Sequence, residues 1–186
     1  MGPTGEPRAI EELRLVGLGP LPPGLAVELV TRLSRRVRAA CRLEVGDREP
    51  ELPRVRGRDQ IDADALLERL EARPLEVGAV VVGLTARDIA IPIFTFVFGR
   101  ARSPGQAAVV STARLDPAFY GLPTDPERTA RRTTDEILHE LGHVTGLRHC
   151  DDPACLMRFA GSVEHVDARG SVFCARCAAR LPDGLR

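Results

Sequence analysis

His139-Glu140-Leu141-Gly142-His143-Val144-Thr145-Gly146-Leu147-Arg148-His149-Cys150 is the stretch whose reading decides the fold. In an α-helix, residues four apart share a face, so His139 and His143 can aim their rings at one metal ion about 2.0–2.1 Å away. Glu140 lies one step, roughly 100°, around that helix. It is placed beside the metal without being a ligand, where its carboxylate can act as general base on a water. A continuing helix would carry His149 roughly 240° past His143, so the helix must stop. Gly146 supplies the stop, because glycine accepts the left-handed conformation that turns a chain back. Three neutral imidazoles leave one coordination position open, which is the arrangement of hydrolytic zinc; a structural zinc is closed by four ligands. The bland alternative is a surface helix that happens to carry histidines, and the added Gly146 and His149 argue against it.

Downstream of this run the sequence resembles the metzincin clan of zinc peptidases, whose pattern adds a methionine turn after the third histidine. Met157, one of only two methionines and the other being Met1, falls in that place. Its thioether would form an apolar floor for the imidazoles, although ordinary core filling predicts the same burial. Four of the five cysteines follow at once: Cys150, Cys155, Cys174 and Cys177. A Cys-x-x-Cys turn with a second pair of thiols makes a closed structural zinc site, and two disulfides are the rival reading. The disulfide reading suits a secreted chain, whereas no export signal is read at the N-terminus.

Taken together, His-Glu-x-x-His-x-x-Gly-x-x-His-Cys, then Cys155, Met157, Cys174 and Cys177, resembles the archaemetzincin family. The resemblance implies a catalytic zinc on His139, His143 and His149, a structural zinc on Cys150, Cys155, Cys174 and Cys177, and Glu140 as general base. Two Zn2+ ions per chain are therefore expected. Residues 94–101 and 108–115 also look familial. By the same resemblance, an extended peptide would lie along the edge strand of the sheet, near residues 94–99.

The remaining chain bounds the answer. At 186 residues and 44% hydrophobic, it can bury roughly 70% of its unfolded surface around one core. A single metzincin-like catalytic domain over residues 1–186 is expected, with an N-terminal subdomain of about 1–149 and a C-terminal subdomain of about 150–186. The fold class is α+β, zincin-like: a twisted, mixed, largely parallel sheet with one antiparallel edge strand, packed with helices that include the zinc-binding one. The small C-terminal subdomain is held by the structural zinc. Acidic and basic residues balance at 26 each, so no net field argues for nucleic acid or an anionic membrane. The longest apolar run, residues 89–98, is interrupted by Pro92 and is too short to cross a bilayer. The expected protein is cytoplasmic and monomeric, and its partner is a peptide or protein substrate.

The pattern predicts a strand over residues 12–17, a helix over 25–40 and a strand over 41–45. An arginine-rich loop over 46–60 follows, where binding of an acidic partner is the alternative to simple solvation. Asp62 or Asp64 opens a helix to Glu71. Strands are expected over 77–84, 94–98 and 107–112, the second of them restricted by Pro92 to an edge or a strand start. Asp125 and Pro126 begin the helix that carries the histidines.

Cys41 could serve as a latency thiolate, but it reads as a small buried hydrophobe. His165 reads as a solvated loop histidine and Tyr120 as packing, each with a substrate role as the alternative. The functional reading is a zinc metallopeptidase that hydrolyses peptide bonds with a zinc-activated water. Its rivals are a catalytically weak or inactive zinc-dependent peptide-binding protein, and a four-cysteine nucleic-acid module.

Overall fold

The computed structural model describes residues 9–44 and 52–185. Residues 1–8, the last residue of the second expected strand and residues 46–51 of the expected loop lie outside the described residues. In chain order the elements are β1 (Glu12–Gly17), α1 (Leu25–Ser34), β2 (Ala40–Glu44), β3 (Ile61–Asp62), α2 (Ala63–Glu71), β4 (Ala79–Thr85), β5 (Ile89–Ala90), β6 (Gly99–Ala101) and β7 (Ala107–Ser111). Two 3-10 turns (Ala113–Leu115, Pro117–Tyr120) then lead to α3 (Pro126–Val144), α4 (Val163–Ala168) and α5 (Ala175–Ala178).

A continuous apolar run can be a strand only if both of its faces are covered. β4 meets that condition: it sits at the centre of a five-stranded sheet of order β2-β1-β4-β7-β6, and every one of its residues is buried. Val80, Val82 and Leu84 join Leu13 and Leu15 under α1 and α3. Val81 faces the other way with Ala107 and Val109, under Leu66, Leu67 and Leu70 of α2. Among the described residues of this sheet, the strands pair in parallel except β6 with β7, so the antiparallel strand lies at the edge, as expected.

Two expectations move. The first helix ends at Ser34, not at residue 40. Ala40 instead donates its N–H to Glu11 O at 2.9 Å and Arg38 to Gly184 O at 2.7 Å, so sheet pairing takes the backbone that the helical pattern would have used. The edge strand is Gly99–Ala101, whereas the pattern placed it at 94–98. Pro92 lacks a donor for a ladder. The carbonyls of Phe94 and Thr95 accept from the side chains of Arg58 and Gln60, both at 2.7 Å, in place of a neighbouring strand. Only Val97 of that segment bridges, to Ile89. Among the described residues, no helix is long and apolar enough to cross a membrane.

Asp62, which caps α2 by accepting from Asp64 N at 3.0 Å and Ala65 N at 3.3 Å, yields a direct test. Asp62→Ala should cost about 1 kcal/mol and lower Tm by roughly 2–4 °C for a chain of this size. Calorimetry showing an unchanged Tm would remove the cap from the account.

Candidate metal centres

α3 starts as its sequence dictates, with Asp125 Oδ1 accepting from Arg128 N at 3.0 Å and Pro126 in the first turn. It ends in a left-handed turn at Gly146, φ 94°. Leu147 N donates to Gly142 O at 2.9 Å and Gly146 N to His143 O at 2.8 Å. These are the paired bonds of a glycine-terminated helix, and they satisfy carbonyls that would otherwise be orphaned. The turn returns the chain, and His149 meets the two helical histidines.

The Nε2 atoms of His139 and His143 lie 3.1 Å apart, and those of His143 and His149 3.3 Å apart. Tetrahedral ligands at about 2.0–2.1 Å from one zinc ion sit roughly 3.3–3.4 Å from each other, so the donor set fits that ion. The opposite ring nitrogens are committed elsewhere. His139 Nδ1 donates to Leu156 O and His143 Nδ1 to Leu147 O, both at 2.8 Å. Carbonyls only accept, so each Nδ1 carries the proton and each Nε2 lone pair is free for a cation. Burial, then the Arg169 cation, holds His139 well below the usual imidazole range. Burial also lowers His143 and, with help from His143, draws His149 to about 4. All three rings are neutral at pH 7, the form that binds metal.

Glu140 is buried in the same cleft, which has a volume of about 210 Å³ between α3, the segment leading into β6, and residues 159–161. Burial, then the neighbouring Glu136 carboxyl, pushes Glu140 well above the usual carboxylate range, while Arg169 and Arg100 pull it back. A divalent cation beside it would favour the ionised form further. The space for this side chain comes from Gly99 of β6, where an added Cβ would lie 2.6 Å from Glu140 Oε1. Met157 is fully buried, and its sulfur packs where a Cβ on Gly142 would fall, 2.5 Å away. The glycine inside the histidine motif is thus what lets the methionine approach the helix between His139 and His143.

The four thiols gather beside this centre, all within 4.8 Å of one another. Cys150 Sγ and Cys174 Sγ are 3.9 Å apart, and no disulfide joins any of the five cysteines. Zinc-bound thiolates at about 2.3 Å imply roughly 3.8 Å between sulfurs, against about 2.05 Å in a disulfide. Cys155 Sγ accepts from the backbone N–H of Met157 and of Cys174, each at 3.4 Å. Arg176 donates to Cys150 Sγ at 3.2 Å and draws that thiol to about 7, whereas burial pushes Cys177 up.

The residues set aside in the sequence lie elsewhere. Cys41 is on β2, at the opposite edge of the sheet from β6, with its thiol donating to Ala39 O at 3.6 Å. His165 is exposed on α4 and accepts from Gly161 N at 3.3 Å. The Tyr120 hydroxyl donates to Arg114 O at 3.1 Å, outside the cleft. Sequence reasoning missed Gly99, Glu136 and Arg169. Glu136 alone carried a signal, being one turn before Glu140 on the face that holds the histidines.

A mixed sheet backed by a helix that brings together neutral imidazoles and a buried carboxyl defines a zinc peptidase of metzincin type. Known proteins agree. Residues 55–183 match peptidase family M54. The archaemetzincin of Methanopyrus kandleri is 44% identical over 129 residues, which is 69% of this chain and 70% of that protein. The crystal structure of archaemetzincin from Methanopyrus kandleri matches with a TM-score of 0.75 and 36% identity, covering 96% of each chain. That of a zinc-dependent peptidase from Methanocorpusculum labreanum matches at 0.82 and 27%, over 91% of this chain and 100% of that one. The chain belongs to peptidase family M54, the archaemetzincins, and is a zinc-dependent metallopeptidase.

The close fit of Gly99 against Glu140 is testable. Displacing a catalytic group by about 1 Å can cost on the order of 100-fold in rate. With Glu140 as the base proposed below, Gly99→Ala is expected to fold normally and to lose between about 10- and 100-fold in kcat on a peptide substrate. Full turnover in a variant with unchanged circular dichroism would show that the contact is slack.

Proposed function

We propose that His139, His143 and His149 hold a catalytic zinc, that Cys150, Cys155, Cys174 and Cys177 hold a structural zinc, and that Glu140 is the general base of peptide hydrolysis. The carrying observation is the convergence of three Nε2 atoms at 3.1 and 3.3 Å around a solvent-facing gap, with Glu140 in the same cleft. His139 is buried, His143 half-buried and His149 exposed, so the gap opens on the side where a substrate arrives. A zinc ion bound there supplies Lewis acidity, bringing the pKa of a water to about 7 and polarising the scissile carbonyl.

Glu140 accepts a proton during attack and returns it to the leaving amine. β6 ends the sheet, so its outer edge offers main-chain donors and acceptors to an extended peptide. The register of that peptide follows Gly99–Ala101, a few residues beyond where the sequence pattern set the edge. Gly99 contributes at the same place by leaving Glu140 its room. Residues 1–149 and 150–186 act as two parts of one catalytic domain in a monomer, the second part held together by the cysteine cluster.

Native mass spectrometry and Glu140→Ala test the reading together. The parent should carry two zinc ions per chain. The variant should keep both and lose hydrolysis by at least about 100-fold. Undiminished cleavage would take Glu140 out of the mechanism, and a single ion in the parent would remove one of the two sites.

A further inference from the structure

Behind the metal centre lies a buried ion pair that the reaction as described does not use. Arg169 Nη2 donates to Glu136 Oε2 at 2.5 Å, with side-chain exposures of 2% and 5%. Replacing a buried pair of this kind by apolar groups is often neutral or stabilising, so stability alone does not explain its presence. The pair is also incompletely satisfied. Arg169 Nε is the one buried side-chain nitrogen or oxygen without a hydrogen-bond partner among the described residues.

What the pair touches is informative. Arg169 Nη1 lies 3.2 Å from His139 Nδ1 and donates to Arg158 O at 3.4 Å. Because His139 Nδ1 already donates its proton to Leu156 O, the guanidinium is an abutment for the ring and not its donor. Glu136 stands one turn before Glu140 on the same face of α3, and both carboxyls line the cleft. One salt bridge therefore abuts a ring of the histidine trio and stands one helical turn from the carboxyl that shares the cleft.

The pair is also anchored from outside. Arg169 directly follows α4, and α4 is strapped to α3 by Asp167, which receives Arg132 Nε at 2.9 Å and Arg131 Nη2 at 2.7 Å. Arg132 is itself buried and donates to Leu115 O at 2.9 Å. At the next residue, a Cβ on Gly170 would lie 1.9 Å from Ala154 O, so only glycine lets the chain pass the cysteine-bearing loop here. The guanidinium is thus delivered from a fixed backbone to a fixed helix.

We propose that Arg169 and Glu136 are positioning residues of the metal centre, holding the His139 ring and the Glu140 carboxyl in the geometry of the reaction. The inference rests on His139 as a zinc ligand and Glu140 as the base. Groups behind metal ligands commonly change affinity or activity by about 10- to 100-fold when removed.

Two variants decide it, each read by kcat and KM, by zinc retention under chelator competition in native mass spectrometry, and by Tm. Glu136→Gln keeps an acceptor for Arg169 while removing the charge. It should lower kcat by about 10- to 100-fold with KM within about twofold, and should release one zinc at lower chelator concentration while keeping the other. The double variant Arg169→Met with Glu136→Leu removes the pair as a unit. Its Tm should match or exceed that of the parent, yet kcat and retention of the first zinc should fall as in Glu136→Gln. Should either folded variant keep kcat and zinc retention within about twofold of the parent, the pair is only packing and the proposal fails. Where the double variant does not fold, Glu136→Gln decides alone. Failure of the underlying functional reading looks different: it appears in the parent as a missing zinc, or in Glu140→Ala as continued cleavage.

Discussion

The hydrogen bond from His139 Nδ1 to the carbonyl of Leu156 ties the histidine trio and the cysteine cluster into one object. Leu156 stands between Cys155 and Met157, so the carbonyl that orients a helical histidine belongs to the backbone the thiols gather. The same short segment is held by Cys150 N donating to Met157 O at 2.9 Å and by Leu156 N donating to Val172 O at 2.8 Å. Whatever sets the cysteine loop also sets the tautomer and ring angle of His139. His149 shares this dependence, because it is bonded directly to Cys150.

This coupling explains why so many polar groups are buried in the carboxyl-terminal half. α3 hides Thr133, Thr134, Asp135, Glu136, His139 and Glu140, a costly set unless each finds a partner. Thr133 and Thr134 return their hydroxyls to backbone carbonyls one turn back. Asp135 accepts from the Ser171 hydroxyl at 2.7 Å. The remaining groups face the cleft. The helix is therefore apolar toward the middle of the sheet and polar toward the cleft at its β6 edge, and the glycines at 99 and 142 set how closely neighbours may approach that side.

Much of the architecture was legible in the residues because it rests on local rules. β1, α2, β4 and β7 appear within one or two residues of their patterns, since a buried run and a capping aspartate act over a few positions. The departures have one cause in common. The first helix gave up residues 35–40, and the edge strand moved from 94–98 to 99–101, where a distant partner competed for backbone: Glu11 and Gly184 in the first case, Arg58 and Gln60 in the second. Periodicity is blind to such competition. The short helices α4 and α5 lack enough length for any periodic signal.

At the site the same division holds. The spacing of His139, Glu140 and His143, the glycine stop and the order of the four cysteines are encoded in the chain itself, because helical geometry and left-handed glycine are properties of a few consecutive residues. Gly99 as the wall against Glu140, the Leu156 carbonyl as partner of His139, and Arg169 against Glu136 were decided only on folding. Those contacts join positions 17 to 41 residues apart through the sheet edge and the cysteine loop. A side chain's neighbours across such a span are set by packing, which no local pattern records.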